Sequence, residues 1–374
     1  MRLGVFIVPD FMTEPTPSQL LVQAMAHQHS GELDRAETLI RQILASDPEN
    51  IHALTKLGVL STANGQFEKA EAIYRQVLCL APGEVGVLTI LANLLVNRNA
   101  IGEAQDSFRQ ALDRHPNHWQ ASLGLTALLV DLGRLLEAVP ILRDAIAVRT
   151  AERADAPGLL DARALLAEIL VTVGCDDEAQ TLAQAVLAKV PDHCRALCVL
   201  GDLLAEAGQV DLGEQAFTFA ANSNPETAAP LVRLGVLFDT QDRIDDATKT
   251  FSQAIETDPE DAEALRYFAG HLLGLGLEAQ AQTAFEASWQ LKPTKVSTAL
   301  HLADLHTGHG HHELALEYLV AARTLRPEKP EFGQSLAACL IRLGCHDQAR
   351  EILAGAGGPG AVSADRRSGS LPGH

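Results

Sequence analysis

Aromatic side chains make up only 4% of this 374-residue sequence. No run of it approaches the ~18 consecutive apolar residues that cross a bilayer. The first shortage argues against sheets and for closely packed Ala/Leu helices; the second argues against membrane insertion. Cationic side chains are also scarce: 29 Lys and Arg face 48 Asp and Glu, a formal net charge of −19. So acidic a surface repels phosphate backbones and disfavours nucleic acid as a partner. Six cysteines, at 79, 175, 194, 198, 339 and 345, are too few for a disulfide framework in so long a chain. The apolar start LGVFIV is ended by Pro9 and Asp10, short of the ~7–15 residues of a secretory core segment. A cytoplasmic location is the expectation. Walker A, G-x-S-x-G and H-E-x-x-H motifs are missing too, and neither a catalytic residue nor a cofactor is expected.

What is present is punctuation. Hydrophobic residues at 47% can fill a core, and the breakers between them are evenly spaced. Pro48, Pro82 and Pro116 are 34 apart, as are Pro191, Pro225, Pro259, Pro293 and Pro327. Twelve residues before each stands a small one: Ala36, Ala70, Ala104, Ala179, Gly213, Ala247, Ala281 and Ala315. Five earlier again lies Gly31, Gly65, Asn99, Gly174, Gly208, Asp242, Gly276 or Gly310. Gly133 with Ala138 and Gly344 with Ala349 mark two further units, ten in all.

Each mark has a mechanical reason. Gly, Asn and Asp tolerate the left-handed conformation that closes a first helix, A. The small residue lets a second helix, B, approach its neighbour. Proline, lacking an N–H, stops B. Apolar residues at helical spacing, such as Leu54, Leu57, Val77 and Leu80, fill the intervals. Each unit therefore reads as helix–turn–helix.

These residues resemble the tetratricopeptide repeat family, whose 34-residue pattern runs through Leu-Gly, an aromatic, a central Ala, a second aromatic and a Pro. Residues 51–84 match through Leu57, Gly58, Ala70, Tyr74 and Pro82. Residues 228–261 match through Leu234, Gly235, Phe238, Ala247, Phe251, Ala254 and Pro259. The resemblance implies an all-α, right-handed superhelical solenoid of about ten repeats over residues 17–354. An N-terminal extension (1–16) precedes it, and a Gly/Ser/Pro-rich tail (355–374), read as disordered, follows. One interval departs: Pro116 to Pro191 is 75 residues. The surplus of seven makes the fourth repeat longer around 146–159, as a helix B with two more turns or as a loop in ERADAPG. Pro140 is expected near the start of that helix, where the first N–H groups lack partners.

In this family helix A lines the groove. The resemblance thus puts Asn93, Asn97, Glu168, Asp202, Glu206, Arg233, Asp239, Arg266 and Asp304 there as partner-binding candidates. With Arg233 the one cation among those between residues 160 and 240, the implied partner is a protein or peptide of basic character. Two specialised activities are not implied. No Lys-x-x-x-Asn pair occurs, the pair with which chaperone-binding relatives hold a terminal carboxylate. The asparagine ladder of the O-linked N-acetylglucosamine transferase arm is replaced by Lys56, Ile90, Gly124, Leu165 and Val199. The function expected is a non-catalytic scaffold. The alternative is the repeat arm of a glycosyltransferase- or sulfotransferase-type enzyme; because the chain ends soon after the tenth repeat, its catalytic domain would lie on another chain.

Three smaller features bear on chemistry. GAGGPG (355–360) and GLGLEA (274–279) fit dinucleotide fingerprints in letters, but neither follows a strand. His309, His311 and His312 crowd one turn and are weak metal candidates, since no carboxylate or thiol in the unit completes a standard set. Cys194 and Cys198 with His193 form at most part of one.

Overall fold

The structure is a computed structural model that describes residues 15–355, and every regular element among them is an α-helix. The expected extension and tail lie almost wholly outside the described residues. The chain divides into two compact units, one ending at Leu128 and the other beginning at Leu129.

The helices fall into ten A–B pairs. The first three are α1 (Pro17–His29) with α2 (Leu33–Ser46), α3 (Ile51–Ala63) with α4 (Phe67–Leu80), and α5 (Val85–Asn97) with α6 (Ile101–Arg114). The fourth is α7 (Trp119–Asp131) with α8 (Leu135–Glu152), so the unit boundary falls inside α7. Next come α9 (Leu159–Thr172) with α10 (Asp176–Leu187), α11 (Cys194–Glu206) with α12 (Val210–Ser223), and α13 (Ala229–Thr240) with α14 (Ile244–Thr257). The last three are α15 (Ala262–Gly274) with α16 (Glu278–Leu291), α17 (Val296–Gly308) with α18 (His312–Leu325), and α19 (Pro330–Arg342) with α20 (His346–Gly355).

Every A–B turn is closed in one way. The residue expected to be left-handed is so in all ten repeats, including Asn99 at φ 58° and Asp242 at φ 57°. The next N–H reaches back five residues to a helix A carbonyl. Gln66 donates to Ser61, Arg243 to Phe238 and Cys345 to Leu340, at 2.8, 3.0 and 2.8 Å. This Schellman closure satisfies carbonyls that a helix end leaves orphaned. In most repeats helix B ends where the following proline pushes its predecessor out of the helical region. Asp47, Ala81 and His115, each before a Pro, sit at φ near −140°, at −140°, −139° and −138°.

Packing explains the small residues. Ala36, Ala70, Ala104, Ala138, Ala179, Ala247, Ala281 and Ala315 are fully buried. Where glycine replaces that Ala, at Gly213, a Cβ would lie 3.0 Å from the Gly201 carbonyl oxygen. Helices α11 and α12 approach so closely there that a methyl would crowd that backbone oxygen. The helix B aromatics Tyr74, Phe108, Phe217, Phe251 and Phe285 are buried as well.

The irregular fourth repeat corrects one expectation. Helix α8 has 18 residues against the 14 of most B helices, so it gains one turn rather than two. The remaining surplus enlarges the link to α9, where Arg153 pairs with Asp155 and Gly158 turns at φ 77°. Pro140 is the sixth residue of α8, beyond the first turn, and it removes an interior bond to the Leu136 carbonyl. Leu136 is 79% exposed, among the most exposed apolar side chains of the described residues, so water has access to that end of the helix.

Candidate functional site

Packing identifies the inner face of the unit beginning at Leu129. Helix A packs on helix A of the next repeat from α9 through α11 and α13 to α15. Arg233 on α13 even reaches Glu168 on α9, two repeats back, at 2.6 Å. Side chains span two repeats only where the stack is compressed, so the A helices line the concave side.

Along that face the charges are joined. Arg233 holds Glu168 with one nitrogen and Asp202 with the other, at 2.6 and 2.9 Å, and Arg195 reaches Glu168 at 3.3 Å. Burial pushes the Asp202 carboxyl up to about 6; Arg233 opposes this, while Glu168 and Glu206 add to it. Burial works against the Arg233 cation, but Asp202 and Glu168 outweigh it and raise its pKa further. Glu206, one turn on from Asp202, is exposed. Arg233 is therefore not the sole cation opposite these acids, as the sequence suggested: Arg195 shares Glu168.

Asp239 is tied down differently. Its carboxylate lies 2.6 Å from Nδ1 of His271, whose Nε2 lies 2.7 Å from the Thr248 hydroxyl. The arrangement copies a hydrolase relay in outline, but the His271 side chain is 1% exposed and Thr248 already donates to the Ile244 carbonyl. With no room for substrate at the imidazole, the relay bolts α13, α14 and α15 together. Further along, Arg266 bridges Glu263 at 2.6 Å and lies over the Tyr267 ring at 4.0 Å. Lys295 meets the same carboxylate at 2.5 Å. Burial would raise Glu263, but Arg266 and Lys295 outweigh it and hold the group down at about 2.

The other candidates are plainer. Asp304 is exposed on α17. Asn93 and Asn97 are exposed on α5, in the first unit. Of the histidines, His306 is buried and stacks on Tyr318 at 5.6 Å, filling the aromatic place of helix A. His309 pairs with Glu278 at 3.2 Å and lies 6.2 Å from the His311 ring. His312 opens α18. Among the described residues no three His, Cys, Asp or Glu converge as a metal set. The hydrogen bond that the Cys198 thiol donates to Cys194, then burial, raise the Cys198 pKa, which keeps that thiol neutral. GLGLEA ends α15 and opens α16 without a strand, and GAGGPG lies outside the described residues save its first glycine.

Arg195, Glu263, Tyr267, His271 and Lys295 were missed in the sequence. A signal for Tyr267 existed: the places holding Leu165 and Val199 continue at intervals of 34 to Arg233, Tyr267 and His301. For Lys295 there was none, because it sits in a link between repeats, outside any helix A pattern.

Residues 21–85, 91–158 and 232–294, together more than half of the chain, match a family model described as tetratricopeptide repeat. No curated protein matches. Among solved structures, a tetratricopeptide repeat protein from Parabacteroides merdae superposes with a TM-score of 0.54 at 17% identity, covering 68% of this chain and 98% of that one. Yeast Tom70 gives 0.47 at 13%, covering 91% of each chain. The pilF protein of Pseudomonas aeruginosa gives 0.43 at 20%, covering 52% and 88%. At such identities the likeness is one of fold. Among the described residues no helix is long and apolar enough to cross a membrane. With ten identically closed helix pairs and a family model over most of its repeats, this chain belongs to the tetratricopeptide repeat family.

Proposed function

We propose that this protein is a non-catalytic scaffold that holds an extended peptide or protein segment of basic character along the helix A face of its second unit. One observation carries the reading: Glu168, Asp202, Arg233 and Arg195 form a partly exposed chain of charges on a concave surface. Ion pairs of this kind contribute little net stability. Their value lies in orienting and selecting a partner's polar groups. The exposed carboxylates of Glu206, on the same helix as Asp202, and of Asp304, further along the A helices on α17, add unneutralised negative charge, which favours an incoming Lys or Arg.

The test separates place from total charge. A fluorescent Lys-rich peptide is titrated at low salt into the wild type and into Glu206→Lys/Asp304→Lys. A control, Asp245→Lys/Glu256→Lys, makes the same net change on exposed positions of α14, a B helix. Groove binding predicts weakened affinity in the first variant and near wild-type affinity in the control. Equal weakening in both would mean diffuse attraction to an acidic protein and would remove the reading.

A further inference from the structure

The side-chain contacts described above join residues of one repeat or of close neighbours, with Arg233 to Glu168 spanning 65 residues. One set of contacts in the second unit does not follow that rule. At the A–B turn of repeat four, the Leu132 carbonyl accepts a hydrogen bond from Nη1 of Arg326, 194 residues later, at 2.7 Å. Asp131 beside it takes Lys292 at 2.7 Å and Lys295 at 3.8 Å. Gly133 completes the surface: a Cβ there would stand 3.1 Å from Arg326 Nη1, so the glycine gives the guanidinium room. The Asp131, Lys295 and Arg326 side chains are each more than four-fifths buried.

The positions of these groups in the repeats are informative. Asp131, Leu132 and Gly133 belong to a turn from helix A to helix B, on one rim of the stack. Lys292 and Lys295 lie in the link from α16 to α17, and Arg326 in the link from α18 to α19, on the opposite rim. When a stack of helix pairs coils about an axis, one rim of a turn comes to face the other rim of the next. These contacts therefore join successive coils about five repeats apart, and the concave face of repeats five to eight lies within the closed turn.

We propose that Asp131 with Lys292 and Lys295, and Leu132 with Arg326, form a releasable clasp that holds the second unit in a closed coil and limits access to its helix A face. The clasp is suited to release. It consists of a few ionic and charge-assisted bonds with no apolar seal among the groups named, and such bonds weaken with ionic strength where solvent reaches them. Lys292, 40% exposed, is where salt acts first. Lys295 is shared between Asp131 and Glu263, so it couples the clasp to the charged inner face at Arg266. The access role rests on the groove reading above; the clasp itself does not.

The experiment keeps the two apart. Spin labels at Leu136 and Leu291, both exposed and next to the two sides of the clasp, report its distance by pulsed dipolar spectroscopy in the full chain. The expected result is a single short distance at low salt in the wild type, and a longer, broader distribution in Lys292→Asp and in Asp131→Lys. The double exchange, Asp131→Lys with Lys292→Asp, restores the short distance and guards against a variant that merely misfolds. Short distances in both single variants, with helicity unchanged by circular dichroism, would overturn the clasp. Access is read by a cysteine at the exposed groove position, Glu206→Cys, with site-resolved mass spectrometry. A bulky polyethylene-glycol maleimide should modify it several-fold faster, relative to a small maleimide, once Lys292→Asp opens the clasp. An unchanged ratio with a lengthened distance would leave a clasp that does not guard the face, and the access role would fall.

Discussion

At the residue scale, this fold uses absence of volume as an instruction. Gly235 on α13 has no side chain because the Phe251 ring of α14 fills the space, and a Cβ there would come within 2.8 Å of it. Alanine would gain about 1 kcal/mol of helix propensity, whereas overpacking costs ~1–3 kcal/mol. Gly235→Ala is therefore expected to lower the midpoint of a denaturant melt, and Phe251→Leu in the same chain to recover part of the loss. Independent, additive effects in that double-mutant cycle would contradict the contact. Two carboxyls give a matching pair of pH predictions. Asp202 is raised from 3.8 to about 6, so the folded state holds its proton more tightly than the unfolded chain. The stability this adds is present below pH 3.8 and is lost as pH rises towards 6. Glu263 is lowered from 4.5 to about 2, so its contribution is present above pH 4.5 and lost as pH falls towards 2. Melts of Asp202→Asn and Glu263→Gln against pH should thus differ from wild type with opposite slopes. Slopes of one sign in both would refute the assigned environments.

At the scale of the element, what the sequence makes legible is what depends on a single residue's backbone. Left-handed turn residues, stops before proline and buried alanines repeat at fixed places, and all ten turns close as their Gly, Asn or Asp requires. The length of α8 was less legible, because seven surplus residues can be shared between helix and link without breaking the apolar face. Four joined the helix and the link took most of the rest. Side-chain pairing was least legible. His271 stands at the place that Leu237 and Leu305 hold in their repeats, and only the packing of three helices shows that it bonds Asp239 and Thr248. Asp242 offers an elementary test of the turn. It occupies φ 57°, where glycine is unstrained and a β-branched residue is a genuine outlier. Asp242→Gly should hold or raise the melting temperature, while Asp242→Val should cost on the order of 1–2 kcal/mol. A valine variant as stable as wild type would mean that the α13–α14 turn does not fix its helices.

At the scale of the molecule, a repeat array differs from a globular domain in how the loss of a part is felt. Where each repeat touches only its neighbours, stability is close to a sum of repeat and interface contributions, so removing one repeat shortens the array and leaves the rest. Deleting residues 85–118, the third repeat in the first unit, should do this. The chain stays helical and the midpoint of unfolding falls modestly. Deleting residues 194–227, the sixth repeat, should do more. It removes one of the repeats between the two halves of the clasp, so Asp131 and Leu132 no longer come round to Lys292 and Arg326. The nearest-neighbour cost is then joined by the loss of a closure that no single repeat contains. Spin labels at Leu136 and Leu291 discriminate between the two deletions. The distance should remain short when residues 85–118 are removed and lengthen when residues 194–227 are removed, with both proteins still helical. A short distance in both would mean that the coil readjusts with one repeat fewer and that closure is not set by repeat number. A collapse of helicity in the first deletion would show that even the first unit is not modular, which the ten identical turns argue against.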